Sequence, residues 1–383
     1  MRAAVFHGPG SITNEEVYCD FRYNPIETPS SYPEKTEADV FLKVKACAVC
    51  GYDVRAYRNG HHKIALPVIL GHEICGRINR DVTVNDLVSG QKSTPRKYNI
   101  KAGSRVVVLP IIPCLACVYC NFGLYNLCLN LKEIGSSING GFAELVKIPQ
   151  QVLKIGGLAP VPDNLSDEEA ALLEPVACCL NGLHHISPLI RKNEQGSVAI
   201  IGDGPIGLLH LQLVKHLYDD ANTAVIGRIP ERLRQAKSMG ADATITFADD
   251  ADFDRILQKT LDLTNGIGFN VVIIATSNPV ALNFGMKIAS RNSRINIFAG
   301  MPKMTDPLIF PIDPNFLHYN QISITGSFSS TPYMLTEAIK LASQGKINLS
   351  KLVTHKYHLK DIIQAILDTE GYRGLRVVIN SFH

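Results

Sequence analysis

Two groups of residues in this sequence have the types and spacing to hold a metal ion. Ala46-Cys-Ala-Val-Cys50-Gly-Tyr-Asp53 is followed by Ile69-Leu-Gly-His72-Glu73. A thiolate (Cys50), an imidazole (His72) and a carboxylate (Glu73) are the ligand types of an open catalytic zinc site, where the protein leaves one position for substrate or water. The second group is Cys114-Leu-Ala-Cys117-Val-Tyr-Cys120, completed by Cys128. Spacings of three, three and eight suit a closed tetrahedral thiolate zinc site, which ties irregular chain together through the metal. An iron–sulfur cluster is the rival, but its bacterial run closes after three intervening residues with a following Pro. Here seven intervene and Leu129 follows Cys128.

A third signature is a strand, a glycine turn and a helix. Ser197-Val-Ala-Ile-Ile breaks at Gly202-Asp-Gly-Pro-Ile-Gly207 and resumes as Leu208-Leu-His-Leu-Gln-Leu-Val-Lys-His216. Gly202 allows a sharp turn, Gly204 lets a pyrophosphate approach the backbone, and Gly207 lets the helix pack on its strand. Pro205 and Ile206 complete the turn, and the helix start offers N–H groups and a positive dipole end to the phosphates. A fold that binds NAD ends its second strand in Asp or Glu about twenty residues further on, to accept from the ribose 2′-hydroxyl. Aligned on Ala224-Val-Ile226 and Glu231-Arg232, that position falls on Gly227. Arg228 and Arg232 then offer two cations and space to a 2′-phosphate, so NADP(H) is expected over NAD(H).

These residues need two kinds of scaffold. The chain has 383 residues, 46% hydrophobic and 19% charged, enough for two or three globular domains. From Met1 to about Gly156, runs such as Val40–Ala46 and Ser104–Leu109, punctuated by Gly and Pro, read as a small β-barrel-like domain. Asp81 to Lys101 is polar and irregular and reads as a surface loop. From Glu174 to about Phe328, short apolar strands (Ala224–Ile226, Ala243–Thr246, Asn270–Ala275, Ile295–Ala299) alternate with helical patterns such as Glu231–Met239. That alternation predicts an α/β domain with a doubly wound parallel sheet. Tyr333–Ser343 reads as a helix and Gly374–Ile379 as a closing strand. A net charge of +3 gives no reason to expect nucleic acid. No apolar run is long enough for a signal peptide or a membrane span, and ten cysteines in a large chain favour metal over disulfides. The reading is of a cytoplasmic protein with no nucleic-acid or membrane partner.

Taken together, the motifs resemble the zinc-containing medium-chain alcohol dehydrogenase family, in its sorbitol and threonine dehydrogenase branch, over nearly the whole chain. The resemblance implies a GroES-like β-barrel catalytic domain (1–173) carrying the structural zinc lobe. It implies a Rossmann domain for the cofactor (174–328) and a C-terminal segment (329–383) that returns to the catalytic domain. It implies two zinc ions, one catalytic and one structural. It adds Glu174, in Ala171-Leu-Leu-Glu174-Pro-Val, to Cys50, His72 and Glu73 around the catalytic ion, with one of Glu73 and Glu174 reaching the metal directly and the other through water. A homodimer or homotetramer is implied too.

Two departures touch the family's proton relay. Tyr52 stands where a Ser or Thr is usual, and Arg55 where a His is often found. A Tyr hydroxyl fills more of the pocket, and Arg55 cannot act as a base near neutral pH. His61 and His62 are the available substitutes. The expected reaction is hydride transfer between NADP(H) and a secondary alcohol or polyol, or its ketone, with an aldehyde or primary alcohol dehydrogenase as runner-up. A protein of another class, a non-catalytic zinc- and nucleotide-binding redox sensor using Cys178-Cys179, is the remaining alternative.

Overall fold

The computed structural model describes residues 1–17, 40–86, 96–186, 196–247, 252–301 and 312–382. The chain divides into two compact units: Met1–Ala177 with Ser330–His383, and Cys178–Ser329.

In the second unit six strands form one sheet, in the order Ala243–Thr246, Asn222–Gly227, Ser197–Ile201, Phe269–Ile274, Ala289–Ile297, Ser323–Gly326. Every neighbouring pair is parallel. Numbered along the sequence this is 3-2-1-4-5-6, the doubly wound order whose switch point lies beside the first strand. A parallel sheet covered on both faces needs strands that are apolar throughout, and Val198, Ala199, Ile200, Val271, Val272, Ile273 and Ile274 are all fully buried. Helices Pro205–Leu217, Pro230–Ser238 and Pro279–Lys287 each open on a proline, whose missing N–H is harmless in the first turn.

The first unit is mainly antiparallel. Its largest sheet runs Leu158–Pro160, Arg105–Val108, Glu73–Ile78, Val40–Ala48, Arg376–Ser381, Val353–His358, with Leu145–Ile148 also paired to Val40–Ala48. A three-stranded sheet, Ser11–Glu16, Arg2–Gly8 and Val68–Ile69, shares its core, which includes Phe6, Leu42, Ile74, Val106, Phe142 and Ile379. The closing strand enters this sheet with Val378 opposite Ala48 and Ile379 opposite Cys47, beside the turn that carries Cys50.

Three expectations change. The segment read as a surface loop contains a hairpin, Val82–Asp86 antiparallel to Arg96–Ile100; residues 87–95 lie outside the described ones. Val82, Val84 and Ile100 are buried while Thr83 and Asn99 face out, so a period of two was hidden by its polar half. The helix after the glycine turn starts at Pro205 rather than Leu208, because Gly204 already occupies the extended cap position. The fifth strand of the parallel sheet begins at Ala289, six residues before Ile295, through the polar Ser290–Arg294 and a register shift. Among the described residues no helix is long and apolar enough to cross a membrane.

Candidate functional site

Cys50 is the cap of helix Gly51–Asn59, and its backbone N–H donates to Asp53 Oδ2 at 2.8 Å. Asp53 is wholly buried; its other oxygen accepts from the Gly71 N–H at 3.3 Å and lies 3.8 Å from His72 Nδ1. One carboxylate therefore ties the Cys50 turn to the turn carrying His72. Gly71 has φ +90°, and a Cβ there would fall 2.8 Å from Cys47 Sγ and 2.9 Å from Phe142. Only glycine lets the chain pass this close. Glu73 then opens its strand opposite Ala48, and the ligand atoms of Cys50, His72 and Glu73 come to lie within 4.8 Å of one another.

The electrostatics call for a cation. Glu73 is fully buried and neither of its oxygens takes a hydrogen bond. Arg376 Nη1 approaches Oε1 to 3.1 Å as an ion pair without hydrogen-bond alignment, and it donates to Val49 O at 3.2 Å. Burial alone would lower the pKa of His72, but the negative charges of Cys50, Asp53 and Glu174 outweigh it and hold the imidazole well above its ordinary range. Surplus negative charge around a thiol, an imidazole and a carboxylate fits a divalent, zinc-like ion. Glu174 is buried near the start of helix Leu173–His184, close enough to act on His72 and Arg376, yet it stands outside the three-residue cluster.

Tyr52 sets its ring edge-on to both His61 (centroids 5.2 Å apart) and His72 (5.7 Å). Its hydroxyl is buried near Ser136 without a well-aligned hydrogen bond. Burial and the nearby Glu133 carboxylate push the phenol pKa up. Arg55 is exposed; His61 and His62 are exposed too and stack at 4.3 Å.

The four lobe cysteines also converge within 4.8 Å. Sγ separations of 4.0 Å (Cys114 to Cys120), 3.5 Å (Cys117 to Cys120) and 3.9 Å (Cys117 to Cys128) bracket the roughly 3.8 Å edge of a zinc–thiolate tetrahedron. Backbone N–H groups of Cys114 and Cys117 donate to Cys128 and Cys114 sulfurs, which favours thiolates. Phe122 and Leu129 are 76% and 68% exposed, so apolar burial does little to hold this segment. The donor set fits a structural metal.

In the second unit the turn has the expected parts. Gly202 has φ +125°; a Cβ on Gly207 would fall 1.9 Å from Gly202 O, so the helix meets the turn this closely only because position 207 is bare. Nothing lies within 4 Å of the place a Cβ would take on Gly204. Pro205 and Ile206 are half-buried at the helix start. The second strand ends at Gly227 as aligned. Arg228 is exposed and its guanidinium has no partner among the described residues. Arg232, in contrast, is buried, because the first turn of helix Pro230–Ser238 directs it inward. The space expected beside Gly227 is also filled, by the carboxylate of Asp203. Cys178 and Cys179 are neighbours on one helix, which turns their side chains to different faces.

Residues 36–157 match the model of the alcohol dehydrogenase GroES-like domain, and residues 205–344 that of the zinc-binding dehydrogenases. The D-arabitol-phosphate dehydrogenase of Enterococcus avium is 30% identical over 355 residues, 92% of each chain. The chain belongs to the zinc-containing medium-chain alcohol dehydrogenase family. It is an oxidoreductase with a GroES-like domain and a Rossmann-type sheet. Two solved structures of this fold carry nucleotides. A Sinorhizobium meliloti 1021 protein assigned as a zinc-binding dehydrogenase and bound to NADP is 26% identical, with TM-score 0.79, covering 99% of this chain and 98% of that one. An Escherichia coli CFT073 alcohol dehydrogenase complexed with NADH is 25% identical, with TM-score 0.78 and 99% of both chains covered.

Ligand types alone pointed to neither Asp53 nor Arg376. Asp53 left a signal, an acidic third residue in a helix whose cap is Cys50. Arg376 left only a charge at the head of the apolar run Val377-Val-Ile379. Its importance can be tested in metal-free protein. Arg376→Ala leaves Glu73 buried and unpaired and is expected to cost about 3–5 kcal/mol in urea unfolding, whereas Glu73→Gln combined with Arg376→Met should recover most of it. Equal losses in both variants would show that packing, not charge, is what Arg376 contributes.

Proposed function

We propose that this dehydrogenase transfers hydride between NADP(H) and a secondary alcohol or polyol, or the corresponding ketone. The convergence of Cys50, His72 and Glu73 on one point carries the reading. These three, with Glu174 beside them, would hold a catalytic zinc, and Cys114, Cys117, Cys120 and Cys128 a structural one. Zinc there supplies Lewis-acid polarisation of the substrate oxygen, and the nicotinamide supplies the hydride acceptor or donor.

The chain's own residues do the rest. Asp53 fixes the turns that present Cys50 and His72, and Arg376 pairs with Glu73 and holds it in place. The Tyr52 hydroxyl takes the place of the usual Ser or Thr in moving the substrate proton outward, with the His61 ring next to it. Arg228 supports NADP(H), since an unpaired guanidinium at the end of the second strand suits a 2′-phosphate. A polyol substrate is favoured by the acidic pair Glu73 and Glu174, which resembles that of polyol-type members of the family, and by the likeness to the D-arabitol-phosphate dehydrogenase of E. avium. The protein is read as cytoplasmic and as a homodimer or homotetramer, for which size-exclusion chromatography with light scattering is the check.

The direct test is a panel of polyols, sugars, hydroxy-amino acids and simple alcohols, with their carbonyls, followed in both directions through absorbance of the reduced cofactor. Turnover concentrated on secondary alcohols is expected. Tight nucleotide binding with no turnover on any compound would favour the sensor instead.

Metal analysis should find two zinc ions per chain. Cys117→Ser is expected to lose one of them together with much of the stability, and His72→Ala the other while leaving a folded, nucleotide-binding protein. One ion or none in protein kept from chelators would overturn the two-site reading. Tyr52→Phe should lower kcat by at least about tenfold with zinc and cofactor binding intact; an unchanged kcat would reduce Tyr52 to a pocket wall. Arg228→Ala should weaken NADPH about tenfold or more while barely affecting NADH. Equal effects on the two would remove Arg228 from cofactor choice.

A further inference from the structure

The turn Gly202–Gly207 contains an acidic residue that the reaction has not used. Asp203 sits between the first two glycines and is only 8% exposed. Its Oδ2 accepts from the backbone N–H of Arg228 at 2.8 Å and of Ile229 at 2.6 Å, so the carboxylate reaches across from the first strand to the end of the second. There it lies against Gly227. A Cβ on residue 227 would stand 2.4 Å from Asp203 Cβ and 2.5 Å from its Cγ and Oδ2. The two positions are therefore coupled: with Asp at 203, nothing larger than Gly fits at 227 without displacing it.

We propose that Asp203 is a specificity-determining residue of the nucleotide site, supplying from the glycine turn the ribose-facing carboxylate that the second strand lacks. The inference rests on the reading that this turn holds the dinucleotide. The end of the second strand is where a carboxylate can accept from the ribose hydroxyls. Asp203 brings its charge to that place, anchored through one oxygen, while Oδ1 takes no hydrogen bond from any described residue and is the acceptor left over. The same charge repels a 2′-phosphate, and the two N–H groups that such a phosphate could use are already engaged. Cofactor choice thus becomes a contest between two residues that meet at one backbone amide. The Arg228 guanidinium draws the 2′-phosphate in, and the Asp203 carboxylate holds it off.

Asp203 could instead serve the fold alone, by satisfying the N–H groups ahead of helix Pro230–Ser238. The ratio of two affinities separates these roles, because a purely structural loss weakens both nucleotides alike. Calorimetric titration of the full-length protein with NADH, NADPH, AMP and 2′,5′-ADP gives the ratio without turnover, and the last two lack the nicotinamide end altogether. Asp203→Asn keeps the shape and removes the charge. It is expected to shift the Kd ratio towards NADPH, and towards 2′,5′-ADP over AMP, by about tenfold, with kcat/KM following. A second variant protects the test against misfolding: Asp203→Gly with Gly227→Asp removes the side chain that collides with residue 227 and returns the carboxylate to the strand end, and it should bring the Kd ratio back to that of the unmodified protein, while Gly227→Asp alone should lower Tm. An unchanged ratio in Asp203→Asn, with Arg228→Ala still shifting it, would overturn the role of Asp203 and leave the nucleotide reading standing. If the unmodified protein bound none of the four ligands, the reading of the turn would fail and Asp203 with it.

Discussion

Much of the first unit is arranged around a carboxylate buried away from solvent. Glu73 is fully buried, takes no hydrogen bond on either oxygen, and shares its surroundings with Cys50, Asp53 and Glu174. Burying that much negative charge is tolerable only if cations answer it. Arg376 is one, brought in by the closing strand from the far end of the sequence, and a metal ion on Cys50, His72 and Glu73 would be the other. The antiparallel sheet is the device that brings them together: Val40–Ala48 carries Cys50 off one end, Glu73 heads the next strand, and Arg376 heads the strand on the opposite side.

The same logic explains why the four-cysteine cluster looks different. Around Cys114 to Cys128 there is little buried apolar surface, and Phe122 and Leu129 stand in solvent. A metal ion held at these sulfur separations would do the work that a hydrophobic core does elsewhere. On the proposed reading one site is open and charged for chemistry, and the other is closed for shape alone.

Features that repeat at short range were legible in the sequence. The strand–turn–helix at Gly202, the cysteine spacings and the parallel strands appear where their local patterns place them, apart from the helix start at Pro205 and the early strand start at Ala289, since one period or one turn defines each. What stayed hidden depended on partners far apart in the chain. Arg376 reads as an ordinary charge until a strand three hundred residues earlier lies beside it. Arg232 reads as a free cation until the helix phase turns it inward. The hairpin at Val82–Asp86 was masked because its outward residues are polar. Asp203 was the subtlest: the bareness of Gly227 suggested a missing carboxylate, when the side chain had come from the neighbouring loop. A residue-type alignment sees which position carries an acid, but not which volume the acid fills.

The closing strand has one more consequence, in the order of events during synthesis. Cys178–Ser329 is a continuous stretch of chain, so the nucleotide-binding unit is complete while residues beyond 330 are still to be made. The other unit is not. Val40–Ala48 emerges early but waits more than three hundred residues for the strand Arg376–Ser381 that pairs with it, a contact of very high sequence separation. Until then Glu73 lacks its guanidinium and the edge of the sheet is bare. The half of the protein that begins first is thus the half that finishes last, and the nascent chain spends most of its translation with Glu73 still waiting for the strand that brings Arg376.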